Sequence, residues 1–224
     1  MIMDTNTPGT AGSLVPHSVL SAAAHELRGS LGVARGYLRL LAGQVADNPR
    51  ARKAVEQASH ATERILALAD ELRDYSRLAS GEARLSPASS SLQAILTAAA
   101  GRTVLPNQPK VGVIVEMSTD VVVRADPSRL ADACSALATA LARAQVGDAT
   151  LVLTLAGGSA PATPIILITV SQWLQSVVEE RPPRLDRSGL GLRIATAELS
   201  IRLLGGGLME RWGQEGWAGY SVRL

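Results

Sequence analysis

Two long stretches of the sequence place apolar residues at the alternating three- and four-residue steps of a heptad seam, and no other feature limits the fold as strongly. The first seam runs through residues 20–45 and the second through residues 55–79. Between them stand Asp47, Asn48 and Pro49, which end one helix and begin the next. Two helices of about 30 residues joined by a short turn predict an antiparallel hairpin.

The length of the seams predicts a dimer. A hairpin of two helices cannot cover a long apolar seam on each helix by itself. Pairing with a second copy gives a four-helix bundle, which is the simplest way to bury both seams. We therefore expect a homodimer.

The chain after residue 91 alternates short strand patterns with helical patterns. Strands are predicted at residues 111–117, 121–124, 150–155, 165–170, 208–212 and 220–224, and helices at residues 92–102, 127–145 and 189–204. Such a mixture is typical of an α/β layered domain. The predicted fold class is therefore α+β, with an antiparallel helical hairpin followed by an α/β sandwich.

The chain divides into three predicted segments. Residues 1–13 are rich in Thr, Gly and Ser and predict a flexible leader. Residues 14–86 form the hairpin, and residues 87–224 form the second domain.

Composition excludes several classes of protein. Twenty-two Lys and Arg against 20 Asp and Glu leave a net charge of +2, which makes no case for nucleic-acid binding. A single cysteine, Cys134, excludes an internal disulfide and a cysteine-ligated zinc site, and we expect no metal site. Glycines and prolines interrupt the longest apolar stretch, residues 151–170, which excludes a membrane span. We expect a cytoplasmic protein without a membrane partner.

His25 is the candidate reactive residue. It lies one residue off the apolar seam, so it is predicted on the outer surface of the first helix. Arg28, Arg35 and Arg39 continue that outward stripe. A neutral imidazole is a nucleophile near pH 7, Glu26 can orient the ring or take its proton, and guanidinium groups suit a phosphoryl group or an acidic partner. The alternative interpretation is that His25 is simply one polar residue on a solvated helix face, which would show the same spacing.

Two sequence motifs stand out in the predicted hairpin. The run His-Glu-Leu-Arg-Gly-Ser-Leu at residues 25–31 resembles the phosphoacceptor box of the histidine kinases of bacterial two-component systems. Leu-Arg-Asp-Tyr-Ser-Arg-Leu-Ala-Ser-Gly-Glu at residues 72–82 is similar to the end of its dimerisation hairpin. The resemblance implies that His25 is a phosphoacceptor, that the chain dimerises, and that the second domain has the family's ATPase-type fold.

The second domain lacks two of the nucleotide-binding motifs that the resemblance implies. Residues 126–130 resemble the start of the family's ATP-binding helix, but the magnesium-holding asparagines are replaced by Ala136 and Ala140, which carry no oxygen ligand. After the strand at residues 165–170 the family's Asp-x-Gly-x-Gly is replaced by Gln-Trp-Leu-Gln-Ser at residues 172–176. Gln172 could hydrogen-bond adenine, but Trp173 and Leu174 replace the flexible turn.

A third nucleotide motif survives in part. Residues 187–193 resemble the family's glycine loop, with Gly189 and Gly191 as a possible residual nucleotide loop. A glycine loop at a helix N-terminus can bind phosphate through its backbone amides. The turn and the contact between helix and sheet would require the same two glycines, and we favour that interpretation.

Three functions remain open. The leading hypothesis is a dimeric histidine phosphotransfer protein, in which His25 and Glu26 are catalytic, Arg28, Arg35 and Arg39 dock response-regulator receiver domains, and no cofactor is needed. The first alternative is a divergent histidine kinase that uses ATP and magnesium to phosphorylate His25. The second is a scaffold or inhibitor of a two-component system that carries no phosphate.

Overall fold

The computed structural model describes residues 17–45, 47–107, 109–156, 163–174, 179–185, 190–214 and 216–224. It divides into two compact units, one ending at Ser80 and the other comprising Gly81 to Leu224. The predicted leader, residues 1–13, lies outside the described residues. No described helix is both long enough and apolar enough to cross a lipid bilayer.

The first unit is an antiparallel hairpin of α1 (His17–Gln44) and α2 (Pro49–Ala79). Asn48 begins α2 because its side-chain oxygen accepts a hydrogen bond from the backbone N–H of Ala51, at 3.1 Å, and Pro49 fits the first helical turn. The helix ends before Gly81, which has a φ of 76°. Residues other than glycine seldom adopt such a positive φ.

Only part of each predicted seam is buried within the hairpin. Ala24 is completely buried on α1, and Thr62 and Ala69 are buried on α2. Leu27 and Leu41 belong to the predicted seam of α1, yet 44% and 43% of their surfaces are exposed. The hairpin therefore buries one apolar stripe and leaves a second one uncovered.

The second unit contains three helices, a six-stranded sheet and a two-stranded sheet. The helices are α3 (Leu92–Arg102), α4 (Pro127–Arg143) and α5 (Gly191–Leu203). The strands are β1 (Ala88–Ser91), β2 (Val111–Glu116), β3 (Val122–Ala125), β4 (Ala149–Leu155), β5 (Ile165–Val170), β6 (Glu179–Arg181), β7 (Gly207–Gly213) and β8 (Gly216–Arg223). The larger sheet has the order β2-β4-β5-β8-β7-β6, and β1 pairs with β3. β2 and β4 are parallel, and the other neighbouring pairs are antiparallel.

The core of this unit lies between the helices and alternate residues of the sheet. α4 contributes most to it, because Leu130, Leu137 and Leu141 are completely buried and small residues fill the positions between them. Ile166 and Ile168 of β5 belong to the same apolar cluster. An α+β fold, with a helical hairpin followed by an α/β domain, is thereby confirmed.

Two strands were not predicted. β1 has the sequence Ala-Ser-Ser-Ser and β6 has Glu-Glu-Arg, and these residues have little intrinsic preference for strands. Each forms because a neighbour supplies the hydrogen bonds: β1 pairs with β3, and β6 pairs with β7.

Asp126 caps α4 and also holds the chain that leads into β1. Its carboxylate accepts hydrogen bonds from the backbone N–H groups of Arg129, at 3.0 Å, and Ser86, at 2.9 Å. Burial acts to raise the pKa of Asp126, but these amides and that of Ser128 outweigh it, so the pKa lies below its ordinary value. The ionised carboxylate therefore stabilises the folded state.

We predict that Asp126→Ala lowers the free energy of unfolding of the second unit by about 2 kcal/mol at pH 7, because it removes a cap and leaves two partly buried amides without their partner. Tryptophan fluorescence during urea unfolding measures this, since Trp173, Trp212 and Trp217 all lie in that unit. The effect should be complete above the ordinary pKa of 3.8 and disappear as the pH falls through the lower folded-state pKa.

The matched control is Asp132→Ala, on the same helix. Asp132 is exposed and forms a surface ion pair with Arg102 at 2.6 Å, so its loss should change stability by less than about 1 kcal/mol. Equal losses for the two variants would contradict the capping role of Asp126.

Candidate functional site

His25 lies on the exposed surface of α1, next to the completely buried Ala24. Consecutive residues of an α-helix point about 100° apart, so packing Ala24 against the hairpin interior directs His25 outward. Glu26 is exposed as well. Among the described contacts no hydrogen bond joins Glu26 to His25, because neighbouring residues of a helix do not face each other.

The three arginines of the predicted docking stripe fall into two groups. Arg28 forms an ion pair across the hairpin, with 2.8 Å between its guanidinium nitrogen and a carboxylate oxygen of Asp70. Arg35 and Arg39 are exposed and form no ion pair within the part of the chain that the structure describes. Their guanidinium groups are therefore available to an incoming anion, whereas that of Arg28 already has a carboxylate partner.

Three glycines continue the face of α1 that carries His25. Gly29, Gly32 and Gly36 follow it at the four-, seven- and eleven-residue steps of one helical stripe. A Cβ atom at any of them would have no neighbouring atom within 4 Å. The hairpin itself therefore does not require glycine at these positions, and the helix surface beside His25 is bare backbone.

The two positions of α4 that the sequence resemblance assigns to magnesium do not fit the metal. Ala136 is half-buried and Ala140 completely buried. Magnesium requires oxygen ligands, and a methyl group supplies none. Within the described ranges, no group of three or more His, Cys, Asp or Glu residues could hold a metal ion.

The turn after β5 is packed rather than open. It forms a short 3₁₀ helix (Ser171–Trp173), in which Gln172 is exposed and Trp173 is half-buried against the core. A Cβ on Gly213 would stand only 3.3 Å from the Trp173 ring.

Gln172 lines a surface cleft beside the edge strand, and the other residues of that cleft are Lys110, Val111, Gly112, Asp148, Ala149, Thr150, Val170 and Ser171. This cleft contains no residue of α4 or α5. Residues 175–176 lie outside the described part of the chain.

Gly191, the first residue of α5, is needed for packing. A Cβ at this position would lie 2.1 Å from the backbone carbonyl oxygen of Leu185, which is far inside van der Waals contact. This close approach is sufficient reason for a glycine at position 191. Gly189, the other residue of the possible nucleotide loop, lies outside the described residues.

Sequence reasoning missed Glu210, a completely buried carboxylate on β7. It accepts hydrogen bonds from the backbone N–H of Arg184, at 2.9 Å, and from the indole N–H of Trp212, at 3.0 Å. The Arg181 guanidinium lies 4.9 Å from the centre of the Trp212 ring, a cation–π contact. The sequence signal that could have revealed Glu210 is an acidic residue inside the strand predicted at residues 208–212. Glu210 fixes the segment that leads from β6 towards α5.

Cys134 is a packing residue. It is completely buried on α4, and burial raises the pKa of its thiol to about 12. Because the thiolate is the nucleophilic form, Cys134 is unreactive near neutral pH.

The hairpin matches a known domain family. Residues 18–81 match the model of the His Kinase A (phospho-acceptor) domain, a range that includes His25, Glu26 and Asp70. No curated protein sequence matches the chain.

Solved structures share the fold of almost the whole chain. A crystal structure of full-length ShkA in complex with AMPPNP has a TM-score of 0.66 and 18% identity, and the match covers 93% of this chain but only 45% of ShkA. The histidine kinase AdeS of Acinetobacter baumannii has a TM-score of 0.54 and 18% identity, with 89% of this chain and 96% of AdeS covered. The arrangement of a helical hairpin followed by an α/β domain is thus one that histidine kinases adopt.

We predict that Gly191→Ala destabilises the second unit by more than about 2 kcal/mol in the absence of any nucleotide, because its Cβ would collide with the Leu185 carbonyl. Urea unfolding followed by tryptophan fluorescence measures the loss. Gly207→Ala is the control, because a Cβ there meets no atom within 4 Å. A Gly191→Ala variant as stable as the wild type would show that this glycine is not needed for packing.

Proposed function

We propose that this chain, whose residues 18–81 match the His Kinase A (phospho-acceptor) domain, is a dimeric histidine phosphotransfer protein of a two-component phosphorelay. One observation carries the proposal: an exposed histidine lies in the matched hairpin, while the α/β unit has alanines at the positions that would hold magnesium. Such a protein works in the cytoplasm and needs no cofactor of its own.

The proposed reaction transfers a phosphoryl group between a receiver domain and His25. The lone pair of a neutral ring nitrogen of His25 attacks the phosphorus of the receiver's aspartyl phosphate. An N–P bond forms and the P–O bond to the aspartate breaks, which leaves a free carboxylate on the receiver. The second ring nitrogen keeps its proton, so the phosphorylated ring forms as a cation, and the nearby carboxylate of Glu26 offsets that positive charge. The reverse steps pass the phosphoryl group to another receiver.

Arg35 and Arg39 are the proposed docking cations on α1. Both are exposed on the same helix as His25. A receiver site contains acidic residues, so two guanidinium groups on the facing helix favour encounter and correct orientation. The bare backbone at Gly29, Gly32 and Gly36 allows a partner to approach α1 closely. The α/β unit then serves as an additional docking element without catalysis of its own.

The uncovered apolar stripe supports the proposed homodimer. Large apolar side chains are exposed on both helices of the hairpin, namely Val19, Leu27, Val33, Tyr37, Leu40, Leu41, Ile65 and Leu68. Apolar side chains spaced along two neighbouring helices are the pattern that a four-helix bundle buries. A second copy of the hairpin supplies the complementary surface.

An ATP-dependent histidine kinase is the second candidate. The observation in its favour is the shared fold with ShkA, which was crystallised with AMPPNP. Ala136, Ala140 and the packed Trp173 count against it, because they offer neither metal ligands nor a flexible turn. A scaffold that binds a receiver without accepting phosphate is the third candidate.

We predict that the purified protein takes label from a phosphorylated receiver domain and that His25→Gln abolishes the labelling completely. The substitution removes the nucleophile and preserves a polar exposed side chain, so receiver binding should remain. Transfer of ³²P followed on gels measures the effect, and His60→Gln is the control because His60 is an exposed histidine on α2.

The same preparation separates the other two candidates. Labelling of His25 by ATP and magnesium without a receiver would favour the kinase. Receiver binding without labelling of the wild type would favour the scaffold.

We predict that charge reversal of both docking cations, Arg35→Glu with Arg39→Glu, weakens receiver binding at least tenfold at low salt and less at 0.5 M salt, because salt screens exposed charges. Arg50→Glu with Lys53→Glu makes the same charge change at the start of α2 and serves as the control. Calorimetric titration measures the affinities. Equal affinities for the two double variants would remove Arg35 and Arg39 from the docking surface.

A further inference from the structure

The ion pair between Arg28 and Asp70 lies next to the proposed phosphoacceptor. Arg28 follows His25 by three residues, a spacing that places the two Cβ atoms about 5–6 Å apart on one side of a helix. Its guanidinium nevertheless bonds Asp70 on α2, at 2.8 Å, rather than standing free beside the imidazole. Both partners are partly exposed, with 41% and 57% of their side-chain surfaces accessible to water.

Phosphorylation of His25 would create a competitor for that guanidinium. A phosphoryl group carries about two negative charges, whereas the Asp70 carboxylate carries one. Exposed ion pairs are worth roughly 0–1 kcal/mol, so the pair with Asp70 can exchange for a stronger partner. The arm of Arg28 is long and flexible enough to reach a group on the neighbouring turn of its own helix.

We propose that Asp70 is a positioning residue. By pairing with Arg28 it keeps that guanidinium away from the phosphoryl group on His25, so that phospho-His25 transfers the group readily to a receiver. The inference rests on the proposed phosphotransfer function and concerns the equilibrium of phosphoryl transfer between His25 and the receiver. A guanidinium bound to the phosphoryl oxygens would stabilise phospho-His25 and slow its transfer to a receiver. Asp70 offers Arg28 another partner, which reduces that stabilisation.

The proposed role of Arg28 differs from the one predicted from the sequence. As an outward arginine on the His25 stripe it was predicted to dock the receiver. Its pairing with Asp70 instead makes it responsive to the phosphorylation state of its own helix, and docking is left to Arg35 and Arg39.

The test measures how label distributes at equilibrium between the 224-residue chain and a receiver domain. Asp70→Asn frees Arg28 while keeping the size of the side chain. We expect it to raise the ratio of phospho-His25 to phosphorylated receiver roughly two- to fivefold, the range that an exposed ion pair supports. Phospho-His25 should also lose its label to a second receiver correspondingly more slowly.

Two further variants separate a specific effect from general electrostatics. Asp70→Asn also removes a negative charge near the phosphoryl group, which by itself favours phospho-His25. If the effect passes through Arg28, the double variant Arg28→Gln with Asp70→Asn should match Arg28→Gln alone. Glu56→Gln is the control for charge on α2, because it breaks an exposed pair with Arg52 fourteen residues from Asp70, about 21 Å along the helix.

The outcomes distinguish the inference from the proposed function. A wild type that takes no label from any phosphorylated receiver overturns both. A wild type that takes label, with Asp70→Asn at the same equilibrium ratio, overturns the role of Asp70 alone. An increase in Asp70→Asn that persists without Arg28 overturns it too, because the effect would then be a general charge effect. Circular dichroism of each variant confirms that the hairpin is folded.

Discussion

The packing of α1 against α2 determines which side of α1 faces water, and the proposed chemistry depends on that choice. Ala24 is completely buried, and the next residue is His25. A rotation of α1 by one residue, about 100°, would carry His25 towards the neighbouring helix and bring Ala24 to the surface. The small side chains Thr62 and Ala69 are buried on α2, which indicates close packing of the pair. The surface position of His25 is thus determined by apolar contacts in which His25 itself takes no part.

The face of α1 around His25 has features that its own fold does not explain. Gly29, Gly32 and Gly36 lie in the interior of a long helix, where each glycine costs about 1 kcal/mol relative to alanine. No neighbour within 4 Å requires the missing side chain at any of the three positions. The hairpin is therefore less stable than its architecture allows, along the same surface that carries the histidine and the free arginines. The missing side chains leave room for the proposed receiver partner to approach α1 closely.

The sequence predicted those elements whose patterns are local. The two long helices and β5 follow from apolar periodicity and from the capping residues Asn48 and Pro49. β1 and β6 could not be predicted, because their serines and charged residues become strands only beside β3 and β7. The same limit applies to the site. His25 and the arginine stripe follow from helical spacing, but the partner of Arg28 lies 42 residues away on another helix, and no sequence pattern connects the two.

In the second unit, two residues of motifs that resemble nucleotide-binding motifs have structural roles of their own. Gly191 is required by the Leu185 carbonyl, Asp126 by the amides of Ser86 and Arg129, and neither requirement involves a phosphate. A glycine motif at the start of α5 is therefore weak support for ATP binding, because packing accounts for the glycine that the structure describes. Ala136 and Ala140 likewise give no support for bound magnesium, whereas the exposed His25 of the hairpin has no packing role that would explain it.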